Sequence, residues 1–165
     1  MEMIAYVSLI TALISLLWMG WIDLKLWILP NELIGLFVIA VVVFHFTTGW
    51  YYGGWLFFAI GSIIGGGSLI GIRAVANRIY GTDTMGMGDI KLMFAAGLWL
   101  GPEGVLMALS VGALCGILHA SIIIGHKYFT TGHKVSLNRM ALPAGPGFIA
   151  GIILVYLWQY GDFIL

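Results

Sequence analysis

Charge is scarce in this chain. Seven Lys or Arg and seven Asp or Glu residues make up 8% of its 165 residues, against 61% hydrophobic and a mean hydropathy of +1.06. No soluble domain of this size covers so much apolar surface, so composition implies an integral membrane protein. Cysteine is almost absent. Cys115 stands alone, which excludes an intrachain disulfide and a CxxC zinc pair. The N-terminus lacks a basic cluster, carrying Glu2 instead, and the first apolar run outlasts a signal core, so no cleavable signal peptide is expected. Net charge is zero, no nucleic-acid partner is expected, and the placement of the few charges is the useful signal.

Hydropathy predicts an all-α polytopic membrane protein of six transmembrane helices in a single membrane-embedded domain, residues 1–165. The spans run from Met3 towards Leu29, Leu33 to Thr48, Trp55 to Ile72, Gly88 to Leu100, Val105 to Gly125 and Pro146 to Tyr160. Several approach the ~20 residues a bilayer requires, while the second and fourth are short. Runs such as Val41-Val42-Val43 read as buried helix, because closely spaced long segments favour a bundle over a barrel. Under this count every Lys and Arg falls on one side: Lys25, Arg73 and Arg78 in a 72–87 loop, Lys91, and Lys127, Lys134 and Arg139 in a 126–143 loop. Glu2, Glu103 and Asp162 fall on the other. The positive-inside rule then puts both termini on the non-cytoplasmic side and the basic loops in the cytoplasm.

Four carboxylates share that cytoplasmic side: Asp23, Glu32, Asp83 and Asp89. Glu32 follows Asn31, a candidate N-cap, and an acid in a first turn suits the helix dipole. Asp83 lies in the polar turn Gly81-Thr82-Asp83-Thr84 and reads as a solvated loop acid. Asp23 and Asp89 differ, being surrounded by apolar residues. Helix rise puts Asp89 about 18 Å from Gly101. Against a hydrocarbon core of ~30 Å, that is membrane depth. The first apolar run continues past Asp23 through Leu29 to Pro30, placing Asp23 about 9 Å above the helix end. One helical hairpin separates the two helices, so both acids reach similar depths from the same side.

Two interfacial acids held by Lys25 and Lys91 would be the bland account. A depth-matched pair of membrane carboxyls asks for a stronger reason. Adjacent carboxyls do not both ionise easily, so they share a proton. One can act as general base on a water while the other, as general acid, polarises a peptide carbonyl. The pair titrates as a unit, so the roles stay unassigned.

Asp23 followed by Ile28-Leu29-Pro30-Asn31, then Met85-Gly86-Met87-Gly88-Asp89-Ile90-Lys91-Leu92, then Leu142-Pro143-Ala144-Gly145-Pro146 resembles the type IV prepilin peptidases, which are GxGD intramembrane aspartyl proteases. The resemblance spans most of the chain. It implies that Asp23 and Asp89 are the catalytic pair, supported by the motif residues Pro30, Asn31, Gly86, Gly88, Lys91, Pro143, Gly145 and Pro146. It implies a pilin-like or preflagellin-like precursor as substrate, cut after a short basic leader on the cytoplasmic side of its hydrophobic helix. Larger bacterial members add a methylating region, often with paired CxxC motifs. Here the first helix begins at residue 3 and Cys115 is the single cysteine, so neither methyl transfer nor zinc is expected, and no cofactor. The chain is similar to the short members serving tight-adherence (Flp-type) pili, or to archaeal preflagellin and prepilin peptidases. Ala144 stands where the family often has Phe.

Two other classes remain open. One is a small proton- or cation-coupled transporter, although both acids lie at one end and no acid relay crosses the bundle. The other is a non-catalytic pilus-assembly subunit, which would work without either acid. Elsewhere, small residues four apart at Gly61/Gly65, Gly67/Gly71, Gly112/Gly116 and Gly147/Gly151 predict close helix approach. His45 and His119 fall at different depths, arguing against a metal pair, and His126 and His133 lie in the basic loop. Trp50, Tyr51, Tyr52 and Trp55 fit an outer aromatic belt. The 126–143 loop is expected against anionic lipid headgroups. Lys91 lies two residues after Asp89, with a choice between stabilising the pair and reaching lipid phosphate. Gly86 and Gly88 are expected to keep the backbone thin beside an extended substrate.

Overall fold

The computed structural model describes residues 1–50, 53–131 and 144–164. Its elements are α1 (Glu2–Leu26), α2 (Asn31–Thr47), α3 (Trp55–Tyr80), α4 (Met87–Thr131) and α5 (Gly145–Ile164), with no strand among the described residues. Three helical stretches are long and apolar enough to cross a membrane, Glu2–Leu26, Trp55–Tyr80 and Met87–His126, and Asn31–Thr47 is a shorter apolar helix.

In α1 the buried residues Ala5, Leu9, Ala12, Leu16, Met19 and Asp23 recur every three or four positions, which is one face of a helix. Its other faces are apolar too: Ile10, Ile14, Leu17, Trp18 and Trp21 are exposed. A helix apolar all round belongs in lipid or deep in a core. The helix stops at Leu26, three residues earlier than expected. Trp27 adopts the left-handed conformation (φ 59°), and its N–H donates to the Asp23 carbonyl at 2.9 Å. The left-handed turn at Trp27 ends the helix, and Pro30 keeps Leu29 out of helical geometry so that the helix does not resume before α2. The cap expected at Asn31 is also corrected. Pro30 occupies the N-cap position with no side-chain cap bond, and Asn31 is the first helical residue, leaving its amide for other work.

The third helix runs eight residues past the expected Ile72, to Tyr80, and closes on Gly81 at φ 66°. Arg73, Asn77 and Arg78 end the apolar run, but Ala74, Val75 and Ala76 between them are compatible with helix, so the change to polar residues does not end the helix. The expected 72–87 loop therefore shrinks to residues 81–86.

The fourth and fifth expected helices form one element, α4, broken at Gly101 (φ 74°, ψ −177°) with Pro102 directly after it. Glycine takes that φ without strain, and proline suits the first position of the resumed helix. The chain folds back at the break: a Cβ built on Gly65 would touch Met93 before it and, at 2.6 Å, Val105 Cγ2 after it. The second arm continues to Thr131 rather than ending near Gly125. Lys134, His133, Arg139, Pro143, Tyr51 and Tyr52, with most of the expected basic loop, lie outside the described residues.

Helices α3 and α4, α4 and α5, and α1 and α2 form the main packed pairs, with α1 against α5 and α2 against α4 closing the bundle. Small residues set the closest approaches. A Cβ on Gly61 would lie 2.5 Å from Gly97 O, and Ser62 Oγ donates to Phe94 O at 2.8 Å. Gly147 would meet Gly112 O at 2.7 Å, and Gly151 would meet Gly112 N at 2.7 Å. Gly67 and Gly71 face open space, contrary to their expected packing role. At the core, Trp99 stacks on Tyr156 with centroids 4.1 Å apart, and Phe37 meets Trp99 edge-on at 5.4 Å. His45 belongs to this packing: Nε2 lies 3.1 Å from Leu98 O, and Trp50 stacks on the ring at 5.1 Å. Trp55 is exposed.

Candidate active site

Asp23 lies in the last turn of α1, on the buried stripe below Met19, and is only 5% exposed. Asp89 lies in the first turn of α4 and is half-buried. Between them stands the first residue of α5. A Cβ built on Gly145 would lie 2.5 Å from Asp23 Oδ2 and 3.5 Å from Asp89 Oδ1. Two oxygens so close to one point are within about 6 Å of each other, a range where each charge is felt by the other. The two acids thus show a direct convergence on one glycine. It arises differently from the expected route, because α1 stops three residues after Asp23.

The start of α5 adds a donor. The backbone N–H of Gly145 is given to the Asp23 carboxyl. It is one of the amides that a helix cannot satisfy internally at its N-terminus, and the helix dipole favours negative charge there. Asp23 Oδ2 is buried without a hydrogen-bond partner among the described residues. Pro146 sits at the second position of α5, where a missing N–H costs nothing, while Pro143 lies outside the described residues. Ala144 packs partly buried against the core.

The two motifs on either side of α2 and α3 are joined physically. A Cβ on Gly88 would lie 2.9 Å from Leu29 Cβ, so the backbone of the Gly-Asp segment rests directly on the Leu-Pro turn. Leu29 is buried. Beside that contact, Lys91 Nζ donates to Asn31 Oδ1 at 2.8 Å. This gives Lys91 a partner that neither expected role supplied, and it gives Asn31 a role other than capping. Gly88 spaces two protein segments, while Gly86 lies against the acid itself: its Cβ would be 3.3 Å from Asp89 Oδ2.

Glu32 occupies the first turn of α2 and is exposed, as expected for an acid favoured by the dipole. Asp83 is an exposed loop acid, as expected, but it has partners on α3. Arg73 Nη2 donates to Asp83 Oδ1 at 2.9 Å, and Asn77 Nδ2 donates to the same oxygen at 2.9 Å. Asn77 Oδ1 in turn accepts from Thr84 N–H at 2.9 Å and Thr84 Oγ1 at 2.8 Å. The Arg73 hydrogen bond and its charge, then Asn77, hold the Asp83 carboxyl below the usual carboxylate range. Arg73 and Asn77 are four apart on α3, so they share a face. That spacing is a signal in the sequence only where the helix extends past Ile72, as it does, to Tyr80.

A family model described as the type IV leader peptidase family matches residues 10–121, a stretch that carries Asp23, Pro30, Asn31 and Gly86 to Lys91 and stops short of Gly145. Among curated proteins, the chain is similar to the type 4 prepilin-like proteins leader peptide-processing enzyme of Escherichia coli O78:H11 (strain H10407 / ETEC). The two are 29% identical over 98 residues, 59% of this chain and 32% of that protein. It is also similar to the prepilin leader peptidase/N-methyltransferase of Xanthomonas campestris pv. campestris (strain ATCC 33913 / DSM 3586 / NCPPB 528 / LMG 568 / P 25), 28% identical over 99 residues, 60% of this chain and 32% of that protein. The aligned part thus amounts to 32% of the length of either relative. No solved structure matches.

Proposed function

The chain belongs to the type IV leader peptidase family, and on that premise we propose that it is an intramembrane aspartyl endopeptidase with Asp23 and Asp89 as the reacting pair. The convergence of both carboxyls on Gly145 is the observation that supports this most. In the proposed reaction the pair shares one proton. The ionised carboxyl removes a proton from water as the oxygen attacks the scissile carbonyl, and the protonated one gives its proton to the carbonyl oxygen. Collapse of the tetrahedral diol breaks the C–N bond, as one diol hydroxyl returns its proton to the pair and the pair gives a proton to the departing amine. Gly145 leaves the space above the pair free of a side chain, and its N–H steadies Asp23.

The proposed substrate class is a pilin-like or preflagellin-like precursor, cut between a short basic leader and its hydrophobic segment at the cytoplasmic face of the cell membrane. The proposed topology is six crossings, with α4 crossing twice by folding back at Gly101 and both termini outside. Transport fits less well. Apart from the tyrosine hydroxyls of Tyr156 and Tyr160, the buried polar side chains besides Asp23 are Ser8, Ser15 and His45 among the described residues. Both serine hydroxyls bond to their own helix, at Ala5 O and Ala12 O, so these groups form no chain of exchangeable protons leading from the pair.

Co-expression with a candidate precursor, followed by mass determination of the product's N-terminus, tests the reading. Asp23→Asn and Asp89→Asn should each abolish cleavage while the protein still inserts in the membrane. Wild-type processing by either variant would remove that residue from the reacting pair. The same mass reports whether the new N-terminus is methylated.

A further inference from the structure

Asp89 is held from one side by the packing of α4 on α3, but its first turn follows directly on the short 81–86 segment, and that segment is pinned at three places. Asp83 is bonded to Arg73 at 2.9 Å and to Asn77 at 2.9 Å. Thr84 gives both its N–H and its hydroxyl to Asn77 Oδ1. Arg73 Nη1 contacts the Met87 sulfur, two residues before Asp89. Between these anchors lie Met85, packed against the core, and Gly86, where an added Cβ would lie 3.3 Å from Asp89 Oδ2. The pinned segment is therefore the floor on which Asp89 rests.

We propose that Arg73, Asn77 and Asp83 form a latch that positions Asp89 against Asp23, so that the three are positioning residues for the reaction although none faces the pair. Arg73 serves both ends of the segment, one guanidinium nitrogen to Asp83 and the other to Met87, and its side chain is only 22% exposed while Asp83 is 76% exposed. Asn77 bridges two consecutive loop residues and leaves neither of its amide atoms idle. The loop thus has a defined path although its sequence is rich in Gly and Thr, which by composition alone reads as a free turn. An exposed ion pair adds little to global stability. Its effect on a neighbouring reacting group is larger, because a misplacement of ~1 Å costs about a hundredfold in rate.

The proposal rests on the reading of Asp23 and Asp89 as the reacting pair, and the test separates the two. Full-length chain in detergent or bilayer is assayed with a pilin-like precursor that the wild type cuts. Asp83→Ala and Asn77→Ala should lower kcat about tenfold or more with KM within about twofold, the pattern of an interaction expressed in the transition state. Asp83→Asn, which keeps an acceptor oxygen for Arg73 and Asn77, should recover most of the loss. Limited proteolysis within 81–86 should quicken in both alanine variants, while the unfolding midpoint moves by no more than about 3 °C. Unchanged kcat in both alanine variants overturns the latch, as does a rise in KM alone. Failure of either variant to insert and fold overturns it too, since a device on an exposed segment is dispensable for folding. Cleavage by Asp23→Asn or Asp89→Asn would instead sink the reading of the pair, whatever the latch variants do.

Discussion

Gly145 is the residue on which the site turns. An alanine methyl there would sit 2.5 Å from Asp23 Oδ2, closer than any carbon and oxygen rest, so the carboxyl must move. Gly145→Ala should lower cleavage about a hundredfold, the scale of a 1 Å misplacement, with unchanged membrane insertion. A kinetic assay beside a detergent-extraction profile checks both halves. Gly88 makes a contrasting case. Its hydrogen faces Leu29 Cβ, where an added carbon would lie at 2.9 Å. Gly88→Ala is therefore expected to cost about 1–3 kcal/mol by overpacking, and Leu29→Gly, which removes the Cβ it would strike, should relieve part of it in the double variant. Denaturation in detergent of the four proteins of that cycle measures the coupling. Asp83 supplies the pH prediction. Its folded pKa is depressed by Arg73, so the clamp is present above the unfolded value of about 3.9 and is lost as pH falls through the lower folded value. Arg73→Gln should move the Asp83 titration, followed by carboxyl NMR, back up towards the ordinary value.

Among the elements, α3 reads as a uniform apolar helix with evenly spaced glycines, yet its faces do different things. Gly61 and Gly65 let α4 approach to backbone contact, a spacing that membrane helices use where no hydrophobic force draws them together. Gly67 and Gly71 face open space. Gly61→Ala should destabilise the protein by about 1–3 kcal/mol through collision with the Gly97 and Gly101 backbone. Gly67→Ala should be neutral or stabilise by up to about 1 kcal/mol, as expected when a helical glycine without neighbours becomes alanine. Equal effects at the two positions, read from thermal unfolding of each variant, would contradict this division of the helix. The spacing of small residues was legible in the sequence. Which pair meets a neighbour depends on how α3 is rotated, and four-residue spacing is the same on every face.

For the whole molecule, the described basic residues sort to one end. Lys25 lies in the last turn of α1, Arg78 in the last turn of α3, and Lys91 near the start of α4. Glu103 follows the break at Gly101, at the other end of the first arm of α4. If that arm and its continuation cross the bilayer separately, single cysteines at positions 83 and 103 in a Cys115→Ser background should be labelled from opposite sides by an impermeant reagent. Labelling from the same side would refute two crossings by α4. Shared-side labelling of positions 25 and 83 would agree with the charge distribution.

Membrane character, the helical class, the break between the two arms of α4 and the two outstanding acids could all be read from the chain. Each rests on a local quantity: hydropathy over a window, a glycine before a proline, a charge where apolar residues surround it. Helix ends were read less well where local polarity and helical geometry disagree, at Leu26, Tyr80 and Thr131. Contacts between distant segments lay beyond sequence reasoning altogether. Lys91 with Asn31, Gly88 with Leu29, Asn77 with Asp83 and Thr84, and above all Gly145 between Asp23 and Asp89 are set by the rotation and approach of packed helices. Only the tertiary structure decides these, because side chains far apart in the chain meet according to how whole helices dock, and no local pattern encodes that geometry.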